Sequence, residues 1–169
     1  MNMSSHLPER FDPVDFAEKQ RTLAGDLPVR LLDRVRDVLH HVDGAVSIDL
    51  SLDRQHHVPH IQGRLRVRLV LACQICLEPM PLELDLGVAL GVVQTLEQAD
   101  RLPEGVEPLM PDEDGMVTLL DMVQDEILLA LPVIPQHERC GTSEDVPEPE
   151  VPVRRRQDNP FAVLAALKK

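Results

Sequence analysis

The stretch Val46-Ser-Ile-Asp-Leu-Ser-Leu-Asp53, followed by Ile61-Gln-Gly-Arg-Leu-Arg-Val-Arg-Leu-Val-Leu71, decides the fold. Apolar and polar residues alternate through both runs, the period-two signature of strands that bury one face. Setting Leu52 opposite Ile61 and Ile48 opposite Leu65 keeps the apolar residues together and brings Arg64 against Asp49 on the other face. A third alternating run follows: Leu82, Leu84, Leu86, Val88, Leu90 and Val92. There, Leu71 opposite Leu82, Leu69 opposite Leu84 and Arg68 opposite Asp85 obey the same rule. Short connections between the three runs predict an antiparallel meander.

Outward from this meander the period changes. Asp26 offers an N-cap, Pro28 sits inside a first turn, and Leu31, Leu32, Val35, Val38, Leu39 and Val42 recur at helical spacing up to Gly44. This predicts an amphipathic helix over 28–42. Thr118 with Asp121 reads as a capping box, and Leu119, Leu120, Val123, Ile127, Leu128 and Leu131 run helically to Pro132. This predicts a second, buried helix over 118–131. The expected class is α+β: a curved antiparallel meander, with closure toward a barrel left open, packed with two main helices.

The organisation follows from the same reading. Residues 1–27 form a polar arm, pinned by Phe11, Val14 and Phe16, and 28–140 form the core domain. Within it, 94–115 is an acidic loop carrying Glu97, Asp100, Glu104, Glu107, Asp112, Glu113 and Asp114, with Leu102, Val106, Leu109 and Met110 available to dock. Residues 141–158 are Pro-rich and charged, which predicts a flexible linker. Residues 159–169 predict a short helix whose Phe161, Leu164 and Leu167 make a docking stripe for the domain or for a partner.

Composition narrows the function. Aromatics are 2% of the 169 residues, with no Trp or Tyr, so stacking platforms for bases are missing. The net charge of −12 repels phosphate backbones and attracts cationic proteins. No apolar run is long enough for a membrane helix, and the N-terminus lacks an apolar signal segment. Three cysteines do not make a secreted disulfide framework, so the expected compartment is the cytoplasm.

Cysteine spacing supplies the candidate site. Cys73-Gln-Ile-Cys76 falls at the turn between the second and third strands, and His137-Glu-Arg-Cys140 follows Pro132 and Pro135 beyond the second helix. Two short-spaced pairs of thiolate and imidazole ligands suit a closed, structural zinc site. Clamping Cys76 to His137 would remove much chain entropy from the unfolded state. Reduced structural thiols and a Cys73/Cys76 redox pair are the alternatives; the redox reading lacks a helix start to stabilise a thiolate.

Other motifs are weaker. Arg64, Arg66 and Arg68 stripe the solvent face of a strand, joined at its end by Arg54, and are the possible RNA contacts; ion pairing with Asp49 and Asp85 is the plainer reading. His56, His57 and His60 read as a solvated turn before a metal site. Asp121, Asp125 and Glu126 read as a solvated helix face before a catalytic pair, and no nucleophile triad, phosphate loop or dinucleotide fingerprint is present. The expectation is no enzyme and no small-molecule substrate.

The segments Val70-Leu-Ala-Cys-Gln-Ile-Cys-Leu-Glu-Pro-Met80, Asp121-Met-Val-Gln-Asp-Glu-Ile-Leu-Leu-Ala-Leu-Pro-Val-Ile-Pro-Gln-His137, Cys140 and Asn159-Pro-Phe-Ala-Val-Leu-Ala-Ala-Leu-Lys168 together resemble the bacterial YceD family of large ribosomal RNA subunit accumulation proteins. Ile75 departs from that family's pattern, in which Arg or Lys usually stands between the cysteines. The resemblance implies a role in large-subunit rRNA production or accumulation, with a gene often beside that of a small large-subunit ribosomal protein. Joined to the −12 charge, it predicts a non-enzymatic assembly factor that holds a basic large-subunit ribosomal protein or a pre-ribosomal particle. Direct rRNA binding through the arginine stripe and Arg154, Arg155 and Arg156 is the competing expectation.

Overall fold

The computed structural model describes residues 7–55 and 57–140. Two compact units divide the chain, Met1–Glu138 and Arg139–Lys169. The first contains every element described below. The linker 141–158, Arg154–Arg156 and the helix 159–169 with Phe161, Leu164 and Leu167 lie outside the described residues.

In chain order the elements are β1 (Arg10–Phe11), α1 (Pro13–Glu18), β2 (Thr22–Pro28), β3 (Leu39–His41), β4 (Ala45–Gln55), β5 (Val58–Ala72), β6 (Pro79–Val92), α2 (Leu96–Ala99), β7 (Glu107–Leu109), β8 (Val117–Thr118) and α3 (Leu119–Ala130). The sheet runs β2-β4-β5-β6-β7, with β3 pairing β5 beyond the end of β4. Among the described residues it does not close into a barrel, and its last pair, β6 with β7, is parallel. The class is α+β, as the periodicity indicates.

The β4–β5 register is the one read from charge and apolar matching: Leu52 faces Ile61, Ile48 faces Leu65 and Asp49 faces Arg64. The inner sides of both strands are buried, from Val46, Ile48, Leu50 and Leu52 to Ile61, Leu65, Val67, Leu69 and Leu71. Each such side chain contributes about 1.5–3 kcal/mol on leaving water. The β5–β6 register differs from expectation by two residues. Leu69 faces Leu82, Leu71 faces Met80 and Arg68 faces Glu83. A two-residue slip keeps every side chain on its own face, so apolar matching cannot distinguish the two. Charge can: the observed register sets Arg66 against Asp85 and Arg68 against Glu83, two opposed pairs where the expected one had a single pair.

The helix expected over 28–42 is replaced by two 3₁₀ turns, Val29–Leu31 and Arg36–Val38, and by β3. Asp26 is no cap; it lies in β2 opposite Ser47. Val29, Leu32 and Val35 are buried, and their three-residue spacing fits a 3₁₀ turn as well as an α-helix. The backbone is claimed elsewhere. Val29 N–H donates to Gly44 O (3.0 Å), and Arg34 N–H donates to the buried Gln124 side chain of α3 (2.9 Å). Valines at 29, 35, 38 and 42 also make a weak helix.

Residues 7–27 of the arm are more ordered than their composition suggests. Asp12 caps α1 through Val14 N–H and Asp15 N–H, Phe11 is buried, and Phe16 packs against it at 5.3 Å between ring centroids. Val14 faces solvent, so the two phenylalanines do the pinning. β2 was invisible to periodicity because Gly25 and Asp26 interrupt it. Helix α3 matches its expected span and buries Leu119, Met122, Val123 and Ile127, but Thr118 at its N-cap makes no side-chain capping bond. The acidic loop docks as foreseen: Leu109 packs on the core and Leu102 covers Gly91. Met110 is the exception and is exposed.

Gly63 stands at the centre of this sheet, between Leu50 and Val88, with φ +150°. A Cβ there would lie 2.1 Å from Asp49 O. Gly63→Ala is therefore expected to cost about 2–4 kcal/mol, measured by urea denaturation. A loss below about 0.5 kcal/mol would show that the strands can part at no cost.

Candidate metal centre

The β5–β6 connector builds the site. Cys73 ends the ladder, its N–H donating to Glu78 O (3.0 Å), while Leu77 N–H turns back to Cys73 O (2.9 Å). Leu77 takes φ +62° to make this turn, an uncommon conformation for a leucine. Gln74 N–H donates to Pro135 O (2.8 Å), which ties the connector to the chain leaving α3 and brings His137 alongside.

Cys73 is buried, Cys76 is exposed, and His137 is partly buried. The ligand atoms of these three residues lie within 4.8 Å of one another. Cys76 Sγ is 3.5 Å from His137 Nδ1, and His137 Nε2 is 3.3 Å from Pro79 O. An Nε2–H donating to that carbonyl leaves the Nδ1 lone pair facing the sulfur, the arrangement of a metal-ligating histidine steadied by a backbone carbonyl. Bonds of about 2.0–2.3 Å from one tetrahedral zinc put ligand atoms about 3.3–3.8 Å apart, and the sulfur–nitrogen separation falls in that range.

Charge suits a cation as well. The Cys76 backbone amide holds the Cys73 thiol well below its usual range, helped by the Ile75 and His137 amides and the Cys76 thiol; burial opposes them, and the result is about 5. At neutral pH Cys73 is a thiolate, the form that binds metal. A redox nucleophile needs access to its substrate, yet here the low-pKa sulfur is the buried one. Cys140 is partly buried and belongs to the second unit. It follows His137 by three residues, which limits their Cα separation to about 10 Å.

The arginines of the stripe face two carboxylates. Arg64 pairs with Asp85 at 2.9 Å, Arg66 with Asp85 at 3.5 Å and Arg68 with Glu83 at 3.7 Å. Ion pairing is the reading the geometry supports, with Glu83 in place of the expected Asp49. Arg54 does not join the stripe; it binds Glu18 at 2.8 Å. Of the histidine turn, His56 is outside the described residues, and His60 is buried in β5 opposite Asp53, not solvated. A cavity of about 980 Å³ opens between that hairpin end and the acidic loop. Asp112 there is held below the usual carboxylate range by Met116 N–H and by Arg10. On α3, Asp121 is exposed, Asp125 pairs with Arg34 at 2.5 Å, and Glu126 is half-buried. The site's supporting carbonyls, Pro79 O and Pro135 O, left no sequence signal because backbone groups carry none. Among the described residues no helix is long and apolar enough to cross a membrane.

Fold and site define a small α+β protein with a cysteine–histidine cluster at a hairpin end that could hold a metal ion. The profile of the family described as "Large ribosomal RNA subunit accumulation protein YceD" matches residues 61–168. A Haemophilus influenzae protein of that description is 34% identical over 173 residues, covering 96% of this chain and 97% of its own length. No solved structure matches. The chain belongs to the YceD family.

In metal-free protein, thiolate absorbance is expected to titrate with a component near pH 5 that Cys73→Ser removes. Because folding lowers this pKa from 9.0, the thiolate's stabilising contribution is full above pH 9 and is lost as pH falls through about 5. A titration showing only ordinary thiols would refute the assignment.

Proposed function

We propose that this chain is a non-enzymatic factor in large ribosomal subunit biogenesis, acting in the cytoplasm. In this reading it supports accumulation of large-subunit rRNA by holding a basic ribosomal protein, or an assembly intermediate that carries one. The family name supplies the process. The observation that carries the mode of action is the arginine stripe: Arg64 and Arg66 share Asp85 and Arg68 meets Glu83, so two carboxylates offset most of its charge on a chain of net charge −12. A cationic protein is the complementary partner.

Cys73, Cys76, His137 and Cys140 serve in this reading as a structural zinc clamp. Zinc would supply cross-linking and charge neutralisation there, and no chemical step. Native mass spectrometry is expected to find one zinc per chain, and chelator to lower the melting temperature. Protein grown with zinc supplied, purified without chelator and found metal-free would refute the clamp. Phe161, Leu164 and Leu167 are assigned a docking role, which predicts weaker partner capture for Phe161→Ala with an unchanged melting temperature.

The test of the function is affinity capture from lysate treated with RNase. The expected result is recovery of a basic large-subunit protein that elutes with rising salt. Loss of every partner on RNase treatment would instead favour direct rRNA contact through Arg64, Arg66 and Arg68.

A further inference from the structure

A second cavity, about 360 Å³, lies between the edge strand β7 and helix α3. Its wall is apolar: Leu90 from β6, Leu109 from β7, and Leu128 and Leu129 from α3, with Leu129 75% exposed. Three carboxylates rim it, Glu107, Asp125 and Glu126. Asp125 is answered by Arg34 at 2.5 Å. Among the described residues, Glu107 and Glu126 form no ion pair. Half-burial, then Glu107 and Asp125, push the Glu126 carboxyl above its usual range. Arg34 also lines the groove, one cation against three carboxylates, so the rim stays net negative. Pro108, mid-strand in β7, has no N–H to offer an added strand. Recognition here must come from side chains.

We propose that this groove receives lysine or arginine side chains from a cationic segment of a partner protein. An aliphatic stem lies along Leu109, Leu128 and Leu129, and its charged head meets Glu107 and Glu126. The fit is chemical: Lys and Arg are apolar along their length and cationic at the tip, as the groove is apolar along its wall and anionic at its rim. Nucleic acid would be repelled by the same rim. The assignment rests on the reading of the chain as a holder of a basic protein and gives that reading a seat.

The experiment uses the full chain and a fluorescent synthetic peptide alternating Lys, Arg and Leu, with a peptide carrying Glu in place of Lys and Arg as control. Anisotropy is read at fixed salt. Glu107→Gln with Glu126→Gln is expected to weaken binding about tenfold, whereas Glu97→Gln with Glu104→Gln, an equal change of net charge outside the groove, costs less than about twofold. Leu129→Ser keeps every charge and is expected to cost about threefold. Folding is controlled by the melting temperature: Glu126→Gln should raise it at pH 7, because the buried charge is removed, and the gain should vanish at a pH low enough to protonate Glu126. Equal losses from both charge pairs, or no loss from Leu129→Ser, would overturn the groove while leaving a charge-driven holder standing. A wild-type chain that ignores the cationic peptide would overturn both.

Discussion

The register of β5 is the constraint on which the rest of the structure depends. This strand pairs with β4 along its first half and with β6 along nearly all of its length, and β3 closes on its far end. Gly63 lets the backbones of β4 and β5 approach where no side chain fits. A slip by one residue would turn Ile61, Leu65, Leu69 and Leu71 to solvent, so burial alone forbids it. A slip by two is forbidden more gently, by the opposed charges of Arg66 with Asp85 and Arg68 with Glu83.

That gentler choice sets the candidate metal centre. Because Leu71 pairs with Met80, the ladder ends at Ala72 and Pro79, and the connector between them is long enough to set Cys76 against His137 Nδ1. Had Leu71 paired with Leu82, the connector would be longer and its sulfurs less constrained. The hydrogen bond from Gln74 to Pro135 couples this turn to α3, whose buried face is itself packed on the sheet. A metal ion held by this cluster would cross-brace two elements distant in sequence, as a structural clamp does.

Surface electrostatics divide along the same sheet. On its outer face Arg64, Arg66 and Arg68 share Asp85 and Glu83; at its β7 edge, among the described residues, Glu107 and Glu126 form no ion pair and lie beside the exposed Leu129. Of Glu107, Asp125 and Glu126 only Glu126 is half removed from water, and its two like-charged neighbours add to the cost of ionising it there. The cost makes sense if a cation from outside completes the set.

By itself the sequence determined what depends on residue type and short spacing: the alternating strands 46–53 and 61–71, the β4–β5 register, helix α3, the Cys73/Cys76 and His137/Cys140 pairs, and the family. Those signals survive because each is written in neighbouring side chains. Tertiary structure alone decided the rest. Residues 28–42 carry an apolar spacing that an α-helix and a 3₁₀ turn share, and Gly44 O and Gln124, distant in the fold, took the N–H groups a helix would have used. β2 and β7 exist because a sheet edge was there to pair with, not because their own patterns demanded strands. The carbonyls that steady His137, and the groove that gathers Glu107 with Glu126, likewise belong to packing: they are made of backbone atoms and of residues far apart in the chain, which no local pattern records.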